Sequence, residues 1–191
     1  MKKLIASGLI IGTVILVGGC GKLAADQSKQ SNSLNSDQKK NDTLQREKSN
    51  KTQEYKYYKN VRYGFKSVYP VDFKTDSVSD NGDGAIYKST DGEVVLRFFG
   101  SNNAMNDTAS TYLQFLKSSI DVDPTYEFSK DDRVVLSWVD DETMYYEYIQ
   151  IGAGSLNGFQ VEYPTGSATE IKPLVEKLTA EFVPGDLDKA Y

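Results

Sequence analysis

Tyr58-Lys59-Asn60-Val61-Arg62-Tyr63-Gly64-Phe65, followed by Tyr69-Pro70-Val71-Asp72-Phe73, decides how this chain folds. Aromatic and β-branched residues crowd both stretches, the composition of strands rather than helices. Within the first, Gly64 lacks a Cβ and permits a bend that other side chains forbid. Pro70 has no N–H to give to a ladder and ends the second strand. The reading is a hairpin, with strands at Tyr55 to Asn60 and Phe65 to Tyr69.

The same pattern continues toward the C-terminus, where short aromatic and β-branched runs alternate with turn signals. Strands are predicted at Gly84 to Ser89, Val94 to Gly100, Arg133 to Val139, Met144 to Ile151 and Phe159 to Tyr163. Asp91-Gly92 and Asn157-Gly158 are dipeptides that accept positive φ in tight hairpins. Asp140-Asp141-Glu142 reads as a turn between two further strands.

Two helices interrupt the strands. The first runs from Asp107, read as its N-cap, to Ile120, with Tyr112, Leu113, Phe115, Leu116 and Ile120 largely on one face. The second carries Ile171, Leu174, Val175, Leu178 and Phe182 as one apolar stripe and stops before Pro184-Gly185. Its start has two readings, because Ser167 and Glu170 have capping-box spacing while Pro173 lacks the N–H such a helix needs. Either the first turn is kinked or the regular helix begins near Glu170.

The opening motif, with its Asn60, Tyr63-Gly64-Phe65 and Tyr69-Pro70 before an aromatic residue, resembles the first hairpin of the PsbP/Mog-like superfamily. The closing amphipathic helix ending in Glu181-Phe182-Val183-Pro184 is similar to that family's last helix. Phe73 departs from the pattern, standing where Trp is frequent. The resemblance implies an α+β fold, an antiparallel sheet of six or seven strands sandwiched between helices. It also implies a family largely of assembly factors, cofactor-protein subunits and binding modules rather than enzymes; function does not pass with a fold.

Upstream of this region the composition changes. The first 54 of the 191 residues contain no Tyr, Phe or Trp, whereas all 13 Tyr, all 8 Phe and the single Trp138 lie beyond them. Aromatic side chains bury the most apolar area each, so the core belongs to residues 55–191. Lys22 to Glu54 is a run of Ser, Asn, Gln, Lys and Asp that cannot bury enough surface to offset its chain entropy, and reads as a disordered tether. Within it Ser36 and Lys39 have the spacing of penicillin-interacting serine enzymes, but that chemistry needs a rigid helix in a cleft. Asn41, Asn50 and, further on, Asn106 head formal glycosylation sequons and carry no weight here.

Met1-Lys2-Lys3 and the apolar stretch of 14 residues from Leu4 to Val17 have the build of a cleaved export signal, too short to span a bilayer. The following Leu16-Val17-Gly18-Gly19-Cys20-Gly21 resembles the lipobox of bacterial lipoproteins, with Val17 and Gly18 as tolerated departures. That resemblance implies a diacylglyceryl group on Cys20, two acyl chains being enough for stable anchoring. The predicted organisation is a signal at residues 1–19, a lipidated N-terminus and tether at 20–54, and a globular domain at 55–191. The protein is expected on the extracytoplasmic face of the cell membrane of a Gram-positive bacterium.

Composition restricts the chemistry. Histidine is absent, which removes the commonest general base and the usual nitrogen ligand for zinc or copper. One cysteine cannot form an internal disulfide. The globular part holds 13 basic and 22 acidic residues, a net of −9, which disfavours nucleic acid and anionic lipid as direct partners of the domain. Asp131-Asp132 and Asp140-Asp141-Glu142 read as solvated turns, since neighbours on a strand point to opposite faces. Asp80-Asn81-Gly82-Asp83-Gly84 has the oxygen-rich look of a calcium loop but lacks its ligand order, and reads as an Asn-Gly turn.

The aromatic strand offers the remaining site. Tyr146 and Tyr148 share one face of it, while Tyr145 aligns with Ile149 and Ile151. Helices on both faces would make these tyrosines core; a partly open face would let Tyr146, Tyr148 and Tyr163 form a stacking surface for glycan or peptide. The expectation is a non-catalytic binding or assembly module that needs no cofactor or metal and meets an unidentified protein or cell-wall partner. The alternative is a carboxylate-dependent enzyme acting on envelope polysaccharide, which requires two acidic residues to converge with one carboxyl buried. A self-associating surface antigen is a third possibility.

Overall fold

A computed structural model of the protein describes residues 53–191. The predicted signal, Cys20, the Ser36/Lys39 pair and the sequons at Asn41 and Asn50 lie outside the described residues, as does the tether up to residue 52.

The opening motif forms a hairpin of β1 (Tyr55–Lys59) and β2 (Lys66–Pro70). Gly64 takes φ +77°, the left-handed bend expected of it. Buried Asn60 holds the turn: its Oδ1 accepts from the Tyr63 N–H at 2.7 Å and its Nδ2 donates to the Gly82 carbonyl at 2.9 Å. The hairpin is a two-stranded sheet of its own rather than part of the main sheet. It lies across that sheet through aromatic stacking, Tyr58 on Phe98 at 4.6 Å and Tyr69 on Tyr87 at 4.2 Å.

The main sheet has seven antiparallel strands, β3 (Lys74–Val78), β4 (Gly84–Lys88), β5 (Val95–Asn102), β6 (Pro124–Lys130), β7 (Arg133–Asp140), β8 (Thr143–Ile151) and β9 (Ser155–Pro164), in the order β3-β4-β5-β9-β8-β7-β6. The number of strands is as expected, but the membership differs. β1 and β2 stand apart, and the two edge strands β3 and β6 were not anticipated. Turns fall at Gly92 and Asp141, both at positive φ, as read.

Asn157-Gly158 corrects the expectation of a turn. Both residues lie inside β9, Gly158 paired with Phe99 of β5 and Ile149 of β8. A Cβ on Gly158 would come within 2.4 Å of the Tyr148 carbonyl oxygen and 2.9 Å of the Phe99 ring, so glycine serves here for the close approach of the neighbouring strands.

Helix α1 (Ala109–Ser118) starts one residue later than read, with Thr108 as N-cap. The Thr108 hydroxyl accepts from the Thr111 N–H at 3.2 Å and Thr111 Oγ1 accepts from the Thr108 N–H at 2.9 Å. Phe115, expected on its apolar face, is exposed instead. Helix α2 (Ala168–Glu181) follows a 3₁₀ turn at Thr165–Ser167 and keeps Pro173 inside it; Ser167 makes no capping bond, so the expected box does not form.

The core is divided by the sheet. On one face, α2 and the hairpin cover Leu96, Phe98, Phe159, Val161 and Tyr148. On the other, α1 covers Val134, Leu136, Trp138, Ile149 and Leu156. This is an α+β arrangement, a mostly antiparallel sheet with one helix on each face.

Candidate functional site

Helix α2 does not extend across its whole face of the sheet. Its Leu174 and Leu178 sink into the core, and its other flank borders a concavity over β8 and β9. The result is a groove of about 610 Å³ whose floor is Tyr146 and Tyr163 and whose wall is Val175, Thr179 and, at the rim, Lys172 and Glu176. Strand alternation puts both tyrosines on this face, and the helical spacing of Lys172, Val175, Glu176 and Thr179 puts those four on one flank.

The groove has few polar groups. The Tyr146 hydroxyl lies 3.4 Å from Thr179 Oγ1, which itself donates to the Val175 carbonyl at 2.9 Å. Burial raises the pKa of Tyr146 above its ordinary value, although the Thr179 hydroxyl acts in the opposite direction, and burial raises Tyr163 too. Both phenols are therefore neutral donors at physiological pH. Lys172 and Glu176 face each other across one turn at 3.8 Å and are exposed to water.

Of the three tyrosines singled out from the sequence, the fold brings Tyr146 and Tyr163 together at the groove. Tyr148 belongs to the core: it is 3 % exposed, stacked on Phe159 at 5.3 Å and edge-on to Phe182 at 5.6 Å. Tyr126 extends the surface. Register places Tyr126 of β6, Ser137 of β7 and Tyr146 of β8 in one row, with small Ser137 between the two rings. Tyr126 and Thr179 were missed because neither an edge strand nor a helix flank is marked by sequence when its partner surface is unknown.

The acidic groups are arranged differently. Asp131, Asp132, Asp140, Asp141 and Glu142 are exposed at turns, as read. In the Asp80–Gly84 loop the Asp83 carboxylate is engaged by Arg62 at 2.6 Å and by Asn81 at 2.6 Å. No group of three acidic or thiol side chains among the described residues could hold a metal ion.

Glu147 was overlooked. It occupies the α1 face of β8, directly opposite Gln160 and two residues along from Glu162, whose carboxylate is tied to Arg97 at 2.6 Å. Burial raises the Glu147 carboxyl to about 7, against a smaller opposing effect of the Gln160 amide. Tyr112 of α1 stands near it, its own phenol pushed up to about 12 by burial first and by the Glu147 charge second. The alternation of β8 could have revealed a carboxylate in this apolar row.

The chain matches no family model and no curated protein sequence. Among solved structures it is similar to the solution structure of the cyanobacterial PsbP, CyanoP, from Synechocystis sp. PCC 6803. The TM-score is 0.53 at 14% identity over 70% of this chain and 94% of that one. The described domain therefore has a PsbP-like fold.

Proposed function

We propose that this protein is a non-catalytic binding or assembly module, held outside the cytoplasmic membrane by lipid on Cys20, that receives a protein or cell-envelope partner in the groove between α2 and β8. The observation that carries this reading is the groove itself: an open, mostly apolar concavity floored by two neutral tyrosines, with a sparse rim of polar groups. Such a lining suits recognition by stacking and burial. The lipobox-like Leu16 to Gly21 supports the location, and the PsbP-like fold is compatible with an assembly role without assigning one.

The test is photo-crosslinking on living cells with a crosslinking residue at Val175, compared with one at Lys189. A partner trapped from Val175 but not from Lys189, and lost on Tyr146→Ala, supports the reading. Identical products from both positions overturn it. Cys20→Ala, expected to move the protein from the membrane fraction into the medium, shows in the same cells whether the anchor is needed for the crosslink.

One observation favours a second reading, a carboxylate-dependent hydrolase: burial raises the Glu147 carboxyl to about 7 on the same face as Glu162, which is bound by Arg97 at 2.6 Å. The pair lies on a sheet face beneath Tyr112, apart from the groove, so the binding reading takes precedence.

A further inference from the structure

The net charge of the domain conceals a strong segregation. Residues 55–71 contain four basic residues and no acidic one, a net of +4, whereas residues 72–191 contain 9 basic and 22 acidic, a net of −13. The basic segment is the β1–β2 hairpin with its turn, the first element after the N-terminal arm. Arg62 is neutralised by Asp83. Lys56, Lys59 and Lys66 are exposed and pair with no carboxylate among the described residues.

Lys59 and Lys66 are directly opposite each other in the hairpin register, a like-charge pair that weakens the ladder it sits in. Around them stand apolar side chains exposed to water: Tyr57, 85% exposed; Val61 at the tip, 93%; and Val183, 53%, bridged to Lys66 through the backbone. Tyr57 and Lys59 share a face of β1. Of the acidic side chains near the hairpin, Asp83 is held by Arg62 at 2.6 Å and Glu181 by Lys177 at 2.9 Å.

Uncompensated cations interleaved with exposed apolar groups fit a surface that is anionic outside and hydrocarbon within. We propose that the hairpin face, through Lys59, Lys66, Tyr57 and Val61, docks on an anionic lipid bilayer. The lysines attract head groups while the ring and the branched side chain enter the interface. A soluble polyanion would satisfy the lysines but offer nothing to Tyr57 and Val61. The whole-domain charge, which disfavours such contact, is concentrated elsewhere, and beyond a Debye length of about 10 Å it is screened.

The experiment uses the full chain as Cys20→Ala, so that no acyl chain contributes, with sedimentation on phosphatidylglycerol/phosphatidylcholine vesicles and on phosphatidylcholine alone. Binding is expected only to the anionic vesicles and is expected to weaken as salt rises. Lys59→Gln with Lys66→Gln should lower the partition coefficient by about thirtyfold, about fivefold per lysine. Tyr57→Ser with Val61→Ser should lower it at unchanged charge and keep the parent Tm, the residues being exposed, while the lysine variant should melt at or above the parent because its like-charge pair is gone. Binding undiminished in the lysine variant assigns the attraction to basic residues outside the hairpin, seven of them in residues 20–54, and overturns the proposal. So does inorganic polyphosphate competing fully while the Tyr57/Val61 variant binds as well as the parent, which would make the site one for soluble polyanions.

Discussion

Glu147 sits in a row that register carries across six strands: Ile86, Arg97, Gln160, Glu147, Leu136 and Glu127. Its carboxyl has an ordinary value of 4.5 and a folded value of about 7. Below 4.5 both folded and unfolded chains hold the proton and the group costs nothing. Between about 4.5 and 7 the unfolded chain has lost the proton while the folded chain still holds it, so stability falls across that window by about 3 kcal/mol and levels off above 7, where both states are ionised. Glu147→Gln, which keeps the shape without the charge, is expected to raise Tm by several degrees at pH 8 and by almost nothing at pH 4. A Tm difference independent of pH would show that the shift has another origin. At this scale the sequence was legible in part: alternation aligned Tyr145 with Ile149 and Ile151, a row whose remaining member, Glu147, went unread, and only packing could bring Tyr112 over it. Likewise Tyr146 and Tyr148 were known to share a face, and it took α2 and Phe182 to bury one and leave the other beside a groove.

At the level of elements, Pro173 is the clearest conflict between local propensity and fold. It is the sixth residue of α2, where it removes a bond to the Thr169 carbonyl and crowds that group. The apolar stripe of Leu174, Leu178 and Phe182, all buried, outweighs that cost. Pro173→Ala is therefore expected to stabilise the domain by about 1 to 3 kcal/mol in chemical denaturation. A loss of stability would mean that the proline fixes the entry of the helix. The two strands that the sequence concealed have a common reason. Every residue of β3 is exposed, so no alternation marks it, and β6 begins at Pro124, which reads locally as a helix stop. Both are edge strands, recruited by the open ladders of β4 and β7 rather than by their own pattern. The reverse happened at Asn157-Gly158, where pairing on both sides overrode a strong turn dipeptide. The Asn157 Oδ1 found a partner in the Gly185 N–H at 2.8 Å.

In the domain as a whole, the helices are staggered across the sheet. α1 packs on β6 and β7 from one side, while α2 and the hairpin pack from the other, nearer β9, β5 and β4. That stagger leaves the groove open over β8 and turns the hairpin's basic face outward. Residues Thr52–Tyr191 form one compact unit holding both cores. Excised as Thr52–Tyr191, the chain is expected to unfold in a single transition at the Tm of the full chain, with the near-ultraviolet signal of the stacked Trp138 and Tyr145 rings intact. A broadened transition or a lower Tm would show that the preceding residues contribute to the core. The sequence by itself determined the α+β class, the position of the aromatic core, the Asn60–Phe65 turn and the two helices, because periodicity, glycine geometry and aromatic content are local properties. Only the tertiary structure decided which seven strands form the sheet, which tyrosine faces the groove and where charge gathers on the surface. Those outcomes depend on which faces meet, and contacts between residues distant in the chain leave no mark in any single stretch of it.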